Sequence, residues 1–389
     1  MPSSIPKITL FSIPPRTLAY YDWLITGLEL LKEAGEIEIE YRGYWWDRLL
    51  RCHPKAMRLL RRLSPAFVDF CSPVDLICLT GCMEYKGAVS NFAVDIADSP
   101  FVFALALLET VDVYFKIQCP KTFDPAGFPI NKHIRAPYHP DVFTFKNKIR
   151  PAMLGRPLGH SLSLRRNLSV LRYWEELAKT PKSTSIFASF GTVDELPPRT
   201  ARTPLPAQYN YFSETTLLAR HRGQLHSPNQ KRSKVVKILR DMSKPDIDAR
   251  LWRTEDRSLH TPALSDAEYA LHTARAATVI NISGLRRSIP YRICDTLLTG
   301  GLVATDSLAI KWYQPFEPFE VKEIGDLGYE MEEDVDWAAV SATLADIHAN
   351  SNTTPEIARA RADAYQCKWS PRAFAQYFIS QCEQSLASN

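Results

Sequence analysis

Hydrophobic and polar positions along the chain fall into short runs of two periods. "KITLFSI" (Lys7–Ile13) reads as a strand. The next stretch, "YYDWLITGLELLKEAG", carries an apolar face at helical spacing and closes on Gly35, a C-cap signal. "EIEIEYRG" alternates with period two, whereas "VDLICLTG" and "VDVYFKIQ" are continuously apolar. Continuous apolar strands separated by helices predict a parallel sheet covered on both faces.

A helical stretch, "LSLRRNLSVLRYWEELAKTPK", then breaks at Lys-Thr-Pro-Lys, and "STSIFASFGT" begins a second series. That series runs through a helix "KRSKVVKILRDM", a strand "IDARLWRT" and a helix "LSDAEYALHTARAA" to the strand "ATVINIS". Ser265 with Glu268 three residues later forms a capping box, which marks a helix start. Val193–Asn210, with four prolines, reads as a loop or lid. "SPRAFAQYFISQCEQSL" reads as a terminal amphipathic helix. The expected architecture is two α/β halves facing each other across a cleft, with the boundary near Pro181. The expected division is 1–182, 183–365 and a terminal helix, 366–389, that crosses back to bury Phe374 and Phe378.

Composition adds limits rather than a function. With 389 residues, 45% hydrophobic and 23% charged, the chain can bury two cores. Lys+Arg 47 against Asp+Glu 43 leaves a charge of +4, too balanced to argue for a nucleic-acid partner. The eight cysteines include no C-x-x-C pair, so reduced thiols are expected. The opening "MPSSIPKITLFSIPP" lacks a secretory pattern, and the apolar run in "SPFVFALALLETV" is too short to span a bilayer. A cytoplasmic location is the expectation. "YWWDRLLRCHPKAMRLLRRL" mixes tryptophans with basic residues; it suits either peripheral contact with a membrane or acidic glycan, or a helix with a solvated basic face.

Candidate chemistry concentrates in "RRSIPYRICDTLLTGGLVATD", residues 286–306. Thr278–Ile282 reads as a buried strand, Ser288 as the N-cap of a helix with Pro290 in its first turn, and Gly300 as its end. A helix N-terminus at the carboxyl end of a parallel strand attracts phosphate, and Arg292 would add a forked donor. Asp295, three residues on, suits ribose hydroxyls. The same spacing also describes an ordinary surface Arg–Asp pair, and residue types alone leave both readings open.

"PYRICDTLLTGGLVATD" resembles the donor-site segment of GT-B-fold glycosyltransferases, most of all the exostosin-type branch. Arg292, Asp295, Gly300 and Asp306 fall on that pattern. The order "FEVKEIGD", "MEEDVDWAAVSATLADIHAN" and "KWSPRAFAQYFIS" is similar to the end of the same domain, so the likeness covers roughly Ser265–Ile379. The resemblance implies two Rossmann-like domains of GT-B type and a C-terminal helix crossing back. It implies a nucleotide-diphosphate sugar donor and a glycan acceptor; no cofactor is expected, and no metal, because no Asp-x-Asp follows an early strand. Donor contacts would come from Arg292, Asp295, Ser288 and Tyr291. Many retaining members carry an acid eight residues before the Asp295 position; here that place is Arg287, so an inverting transfer is implied.

The basic stretch "ARHRGQLHSPNQKR" offers Arg220, Arg222, Lys231 and Arg232, of which Arg222 and Arg232 are the preferred diphosphate contacts; a solvated basic loop is the alternative. An inverting transfer needs a general base on a loop after a strand of the first half. Glu84, in "TGCMEYKG", and Asp22 are the leading choices, ahead of His133 and His139. No G-x-G-x-x-G, P-loop or G-x-S-x-G motif occurs, and the Asp-x-Asp matches at 246–248 and 334–336 lack the context of a metal site. The alternatives are a non-hydrolysing sugar-nucleotide epimerase and a catalytically inactive two-lobed module that binds sugar nucleotides.

Overall fold

The computed structural model describes residues 5–12, 18–42, 78–97, 99–129, 135–153, 155, 156, 158, 163–190, 226–251, 257–262, 264–284, 287–328, 335–350 and 353–388. The stretches 44–63 and 193–210 and the residues Arg220, Arg222 and His133 lie outside this set.

The first half builds a mixed sheet ordered β2-β1-β3-β4-β5-β8. Its members are β1 (Lys7–Ser12), β2 (Glu38–Tyr41), β3 (Leu79–Tyr85), β4 (Ala88–Asp95), β5 (Val113–Lys116) and β8 (Ile149–Pro151). The two-residue strands β6 (Phe128–Pro129) and β7 (Arg135–Ala136) pair apart from it. Helix α1 (Leu18–Glu33) links β1 to β2, which runs parallel to it, and ends near Gly35 at φ 72°. Short helices α2 (Leu105–Thr110) and α3 (Pro140–Thr144) cover one face, where Phe103, Leu108 and Tyr114 are buried.

The reading of the "VDLICLTG" region as another parallel strand needs correction. Strand β3 starts at Leu79 and runs antiparallel to both β1 and β4. The cause is the tight turn after Tyr85: Lys86 at φ 52° and Gly87 at φ 84° both take left-handed backbone, the hairpin geometry matched to strand twist.

Helix α4 (Leu164–Ala178) leads into the second half, a sheet of β9 (Thr184–Phe190), β10 (Ile247–Leu251), β11 (Ala276–Ile280), β12 (Leu302–Thr305) and β13 (Val321–Glu323). Its order is β10-β9-β11-β12-β13 and every pair is parallel. Helix α5 (His226–Asp241) joins β9 to β10, and α6 (Asp266–Arg275) joins β10 to β11. Both bonds of the expected capping box form at α6, Ser265 to Glu268 and back. Helix α7 (Arg292–Leu298) joins β11 to β12, and Gly300 ends it at φ 73°. Helix α8 (Trp337–Asn350) seals a core of Val235, Leu239, Ile280 and Leu344.

Helix α9 (Pro355–Ala364) passes through a π turn, Tyr365–Trp369, into α10 (Pro371–Ser388). Helix α10 crosses back onto the first sheet, as expected. Phe378 sits 4.8 Å from Phe92 and 4.6 Å from Phe115 between ring centroids, and Phe374 is buried beside it. Burying each such ring contributes about 1.5–3 kcal/mol. The crossing is close: a Cβ on Gly27 of α1 would lie 2.0 Å from the Pro371 carbonyl oxygen. The indole of Trp23 donates to the Trp369 carbonyl at 3.1 Å, tying the π turn to α1.

The two sheets present their carboxyl edges to each other. Past β5, Gln118 accepts from Ile289 N at 3.3 Å, and Cys119 O accepts from Lys311 N at 2.7 Å. Lys121 N donates to Ala309 O at 3.2 Å. These are two Rossmann-like α/β units facing one another, with the C-terminal helix packed on the first.

Candidate functional site

In the second sheet the chain runs from β9 to β10 on one side, then returns to place β11 on the other. Connections that leave in opposite directions open a crevice at the carboxyl ends of β9 and β11, where open α/β sheets bind ligands. Phe190 ends β9, and the guanidinium of Arg232 lies over its ring, 5.7 Å from the centroid. Lys231, the preceding residue of α5, donates to the Gly328 carbonyl. Arg287 reaches the same region from the β11–α7 connection: its Nη2 donates to Asp326 Oδ1 at 2.7 Å and to Ser307 O at 3.1 Å.

The connection itself is held from below. Asp306, just past β12 and fully buried, accepts from Ser283 N at 2.7 Å and from the Ser283 hydroxyl. Gly284 N donates to Ser288 O at 2.9 Å, closing a turn that contains Arg287. Arg287 takes φ 56°, a conformation uncommon outside glycine and a pointer to function when it falls in a ligand crevice. Burial holds the Lys231 ammonium down at about 8, with Arg287 and Arg232 acting in the same direction and Asp306 and Asp326 opposing them. Three cations, Lys231, Arg232 and Arg287, thus gather on one crevice with two carboxylates. Such a set suits a multiply charged anion.

A second cluster lies between the units. Arg156, beyond β8, donates from Nη1 to Asp295 Oδ2 at 2.8 Å, and its guanidinium covers the Trp174 ring at 4.1 Å. Burial raises the Asp295 carboxyl above its usual range against the pull of Arg156 and Arg292. Tyr269 and Tyr291 lie within electrostatic range of the pair. Asp295 has no exposed surface. Nearby, Leu158 N donates to Asp22 Oδ2 at 3.2 Å, fixing the segment that carries Arg156 to α1.

The expected site residues therefore divide. Arg232 stands at the crevice and Ser288 in the turn beside it, while Arg292, Tyr291 and Asp295 belong to the Arg156 cluster. Three local expectations change. The strand is Ala276–Ile280, and the helix begins at Arg292 rather than Ser288. Tyr291 is its N-cap residue, and Ser288 is spent on the preceding turn. Proline at 290 lacks an N–H, and the backbone turns before it, leaving a seven-residue helix. Asp295 faces the first unit as the buried partner of Arg156, a residue too distant in sequence for spacing to reveal.

Glu84 is exposed on β3 opposite Lys7, the first residue of β1, and so lies at the amino edge of the parallel strands. The hairpin at Lys86–Gly87 carries it there, away from the facing edges. Asp22 is fully buried on α1, at the edge that faces the second unit. His139 caps α3 by accepting from Asp141 N. Asp246 and Asp248 pair with His348 and His272 at the surface. Among the described residues, no group of three His, Cys, Asp or Glu could hold a metal ion, and no helix is long and apolar enough to cross a membrane.

Sequence reasoning undervalued Lys231 and Arg287. Lys231 was one of four candidate cations, ranked behind Arg222 and Arg232, and only its place in α5 beside Arg232 distinguishes it. Arg287 stood out as the position of an acid in related patterns, and that replacement of an acid by a base was the available signal.

No family model matches the chain. No curated protein matches it either. Among solved structures, a putative UDP-N-acetylglucosamine 2-epimerase from Listeria monocytogenes aligns with 98% of this chain and 96% of that chain, at 10% identity and a TM-score of 0.37. A likeness of that size carries no weight for activity.

Proposed function

We propose that the chain is a glycosyltransferase that moves a sugar from a nucleotide-diphosphate sugar to a glycan hydroxyl by inverting displacement. The observation that carries this reading is the gathering of Lys231, Arg232 and Arg287 at the β9/β11 crevice. As the bond from sugar to diphosphate breaks, negative charge builds on the leaving phosphate oxygens, and preorganised cations stabilise that charge more than the ground state. The facing first unit would present the acceptor. For the base, Asp22 now replaces Glu84 as the first choice, because of the two it is Asp22 that lies at the facing edge.

The test is release of free nucleoside diphosphate from UDP-, GDP- and dTDP-sugars in the presence of a glycan acceptor. Arg232→Ala should lower kcat/KM by roughly thirtyfold to a hundredfold while leaving the melting temperature near wild type. Donor binding without release would favour the inactive module. Interconversion of the donor sugar with no acceptor consumed would favour the epimerase.

A further inference from the structure

Two carboxylates act on the three cations of the crevice, and they are not equivalent. Asp306 is fully buried, and both of its oxygens are taken by Ser283. It holds the turn and is not exchangeable. Asp326 has 59% of its side chain exposed, yet one oxygen accepts from both Arg287 Nη2 and Gly328 N. Arg287 is the reverse: only 9% exposed, with its Nε lacking any hydrogen-bond partner among the described residues. A guanidinium with one edge engaged by a solvated carboxylate and its Nε unsatisfied is an incomplete fork.

We propose that Asp326 is an internal stand-in for the ligand's phosphate, occupying Arg287 until a diphosphate displaces it. This rests on the nucleotide reading of the crevice. One anion replaces another on the same guanidinium, and the incoming diphosphate brings more negative charge to the three cations than the single carboxylate it displaces, while also satisfying Nε. Because Asp326 is already largely hydrated, its pairing with Arg287 is screened by solvent and costs little to break. The exchange sets a threshold: weakly charged ligands do not evict the carboxylate, whereas a diphosphate does.

The test is isothermal titration of the full chain with inorganic pyrophosphate and with UDP. Asp326→Asn should bind both roughly fivefold tighter than wild type. Arg287→Gln, which removes the charge and keeps a polar side chain, should bind roughly tenfold more weakly. In the Arg287→Gln background, the gain from Asp326→Asn should shrink to under about twofold, the share carried by the Asp326 charge near Lys231. Circular dichroism melts confirm that each variant is folded. Unchanged affinity in Asp326→Asn, or a gain that persists in full without Arg287, would overturn the stand-in role while leaving the nucleotide site intact. Absence of pyrophosphate and UDP binding in both wild type and Asp326→Asn would overturn the site reading and this inference with it.

Discussion

Each unit places a lysine and an aspartate at the carboxyl edge of its sheet, and the two edges treat them in opposite ways. In the first unit, Asp95 and Lys116 pair at 2.8 Å with neither side chain exposed. Asp95 also accepts from Tyr114 OH at 2.6 Å and Ala97 N at 2.7 Å, and Lys116 donates to Ala97 O at 3.2 Å. Every charge there has a fixed protein partner. In the second unit, Asp306 is consumed by Ser283, and Lys231 is left among Arg232, Arg287 and the exposed Asp326. A saturated buried pair specifies the fold; a crevice where three cations face one solvated carboxylate leaves capacity for a ligand.

The largest expected effect comes from breaking the saturated edge. Lys116→Met leaves Asp95 buried with only neutral donors and should cost about 3–5 kcal/mol of unfolding free energy. Urea melts measure it. UDP affinity in the remaining folded protein should not change, and a loss below about 1 kcal/mol would show that the first edge is not sealed by this pair.

Asp295→Ala should cost about 3 kcal/mol, because it strands the Arg156 guanidinium between the units. The double variant Arg156→Met/Asp295→Leu should recover most of that loss. Intact stability combined with lost donor binding would instead return Asp295 to the ribose role that its sequence context implies. Next in size, Arg232→Ala should weaken UDP binding by about 2 kcal/mol with little change in melting temperature, the inverse of the Lys116 result. A variant that melts early and binds normally would mean that Arg232 only packs on Phe190.

Much of this contrast was legible in the chain, and the rest was not for identifiable reasons. The parallel second sheet could be read because each strand is a short apolar run bracketed by a helix, and because Ser265 and Glu268 mark a helix start unambiguously. The crossing of α10 followed from Phe374 and Phe378, which needed a place to bury. Glu84 was misplaced because the Lys86–Gly87 turn lacks the Asn-Gly or Asp-Gly signature of a tight hairpin. The Asp95–Lys116 and Arg156–Asp295 pairs join residues 21 and 139 positions apart, and no local pattern encodes a contact at that range. The crevice was half visible: Arg232 was a preferred cation and Arg287 a base in the place of an acid, while the contact of Arg287 with Asp326, 39 residues on, had no local signal.

The smallest expected effect is a pH dependence, and its sign separates stability from binding. Burial holds Lys231 at about 8 in the folded chain, below the 10.5 of an ordinary lysine. Between those two values the unfolded chain binds more protons, so the contribution of Lys231 to stability rises with pH across this window. Below about 8 the ammonium is charged in both states, and its burial cost is fully present. Ligand binding runs the other way, because phosphate needs the charged form. If only the ammonium binds, UDP affinity should fall roughly threefold between pH 7.5 and 8.5. Lys231→Met should bind more weakly at pH 7 and lose this slope. Titrations at several pH values, set beside urea melts over the same range, would show the two curves diverging. Affinity that is flat with pH in the wild type would mean that Lys231 braces the Gly328 carbonyl and takes no part in holding the anion.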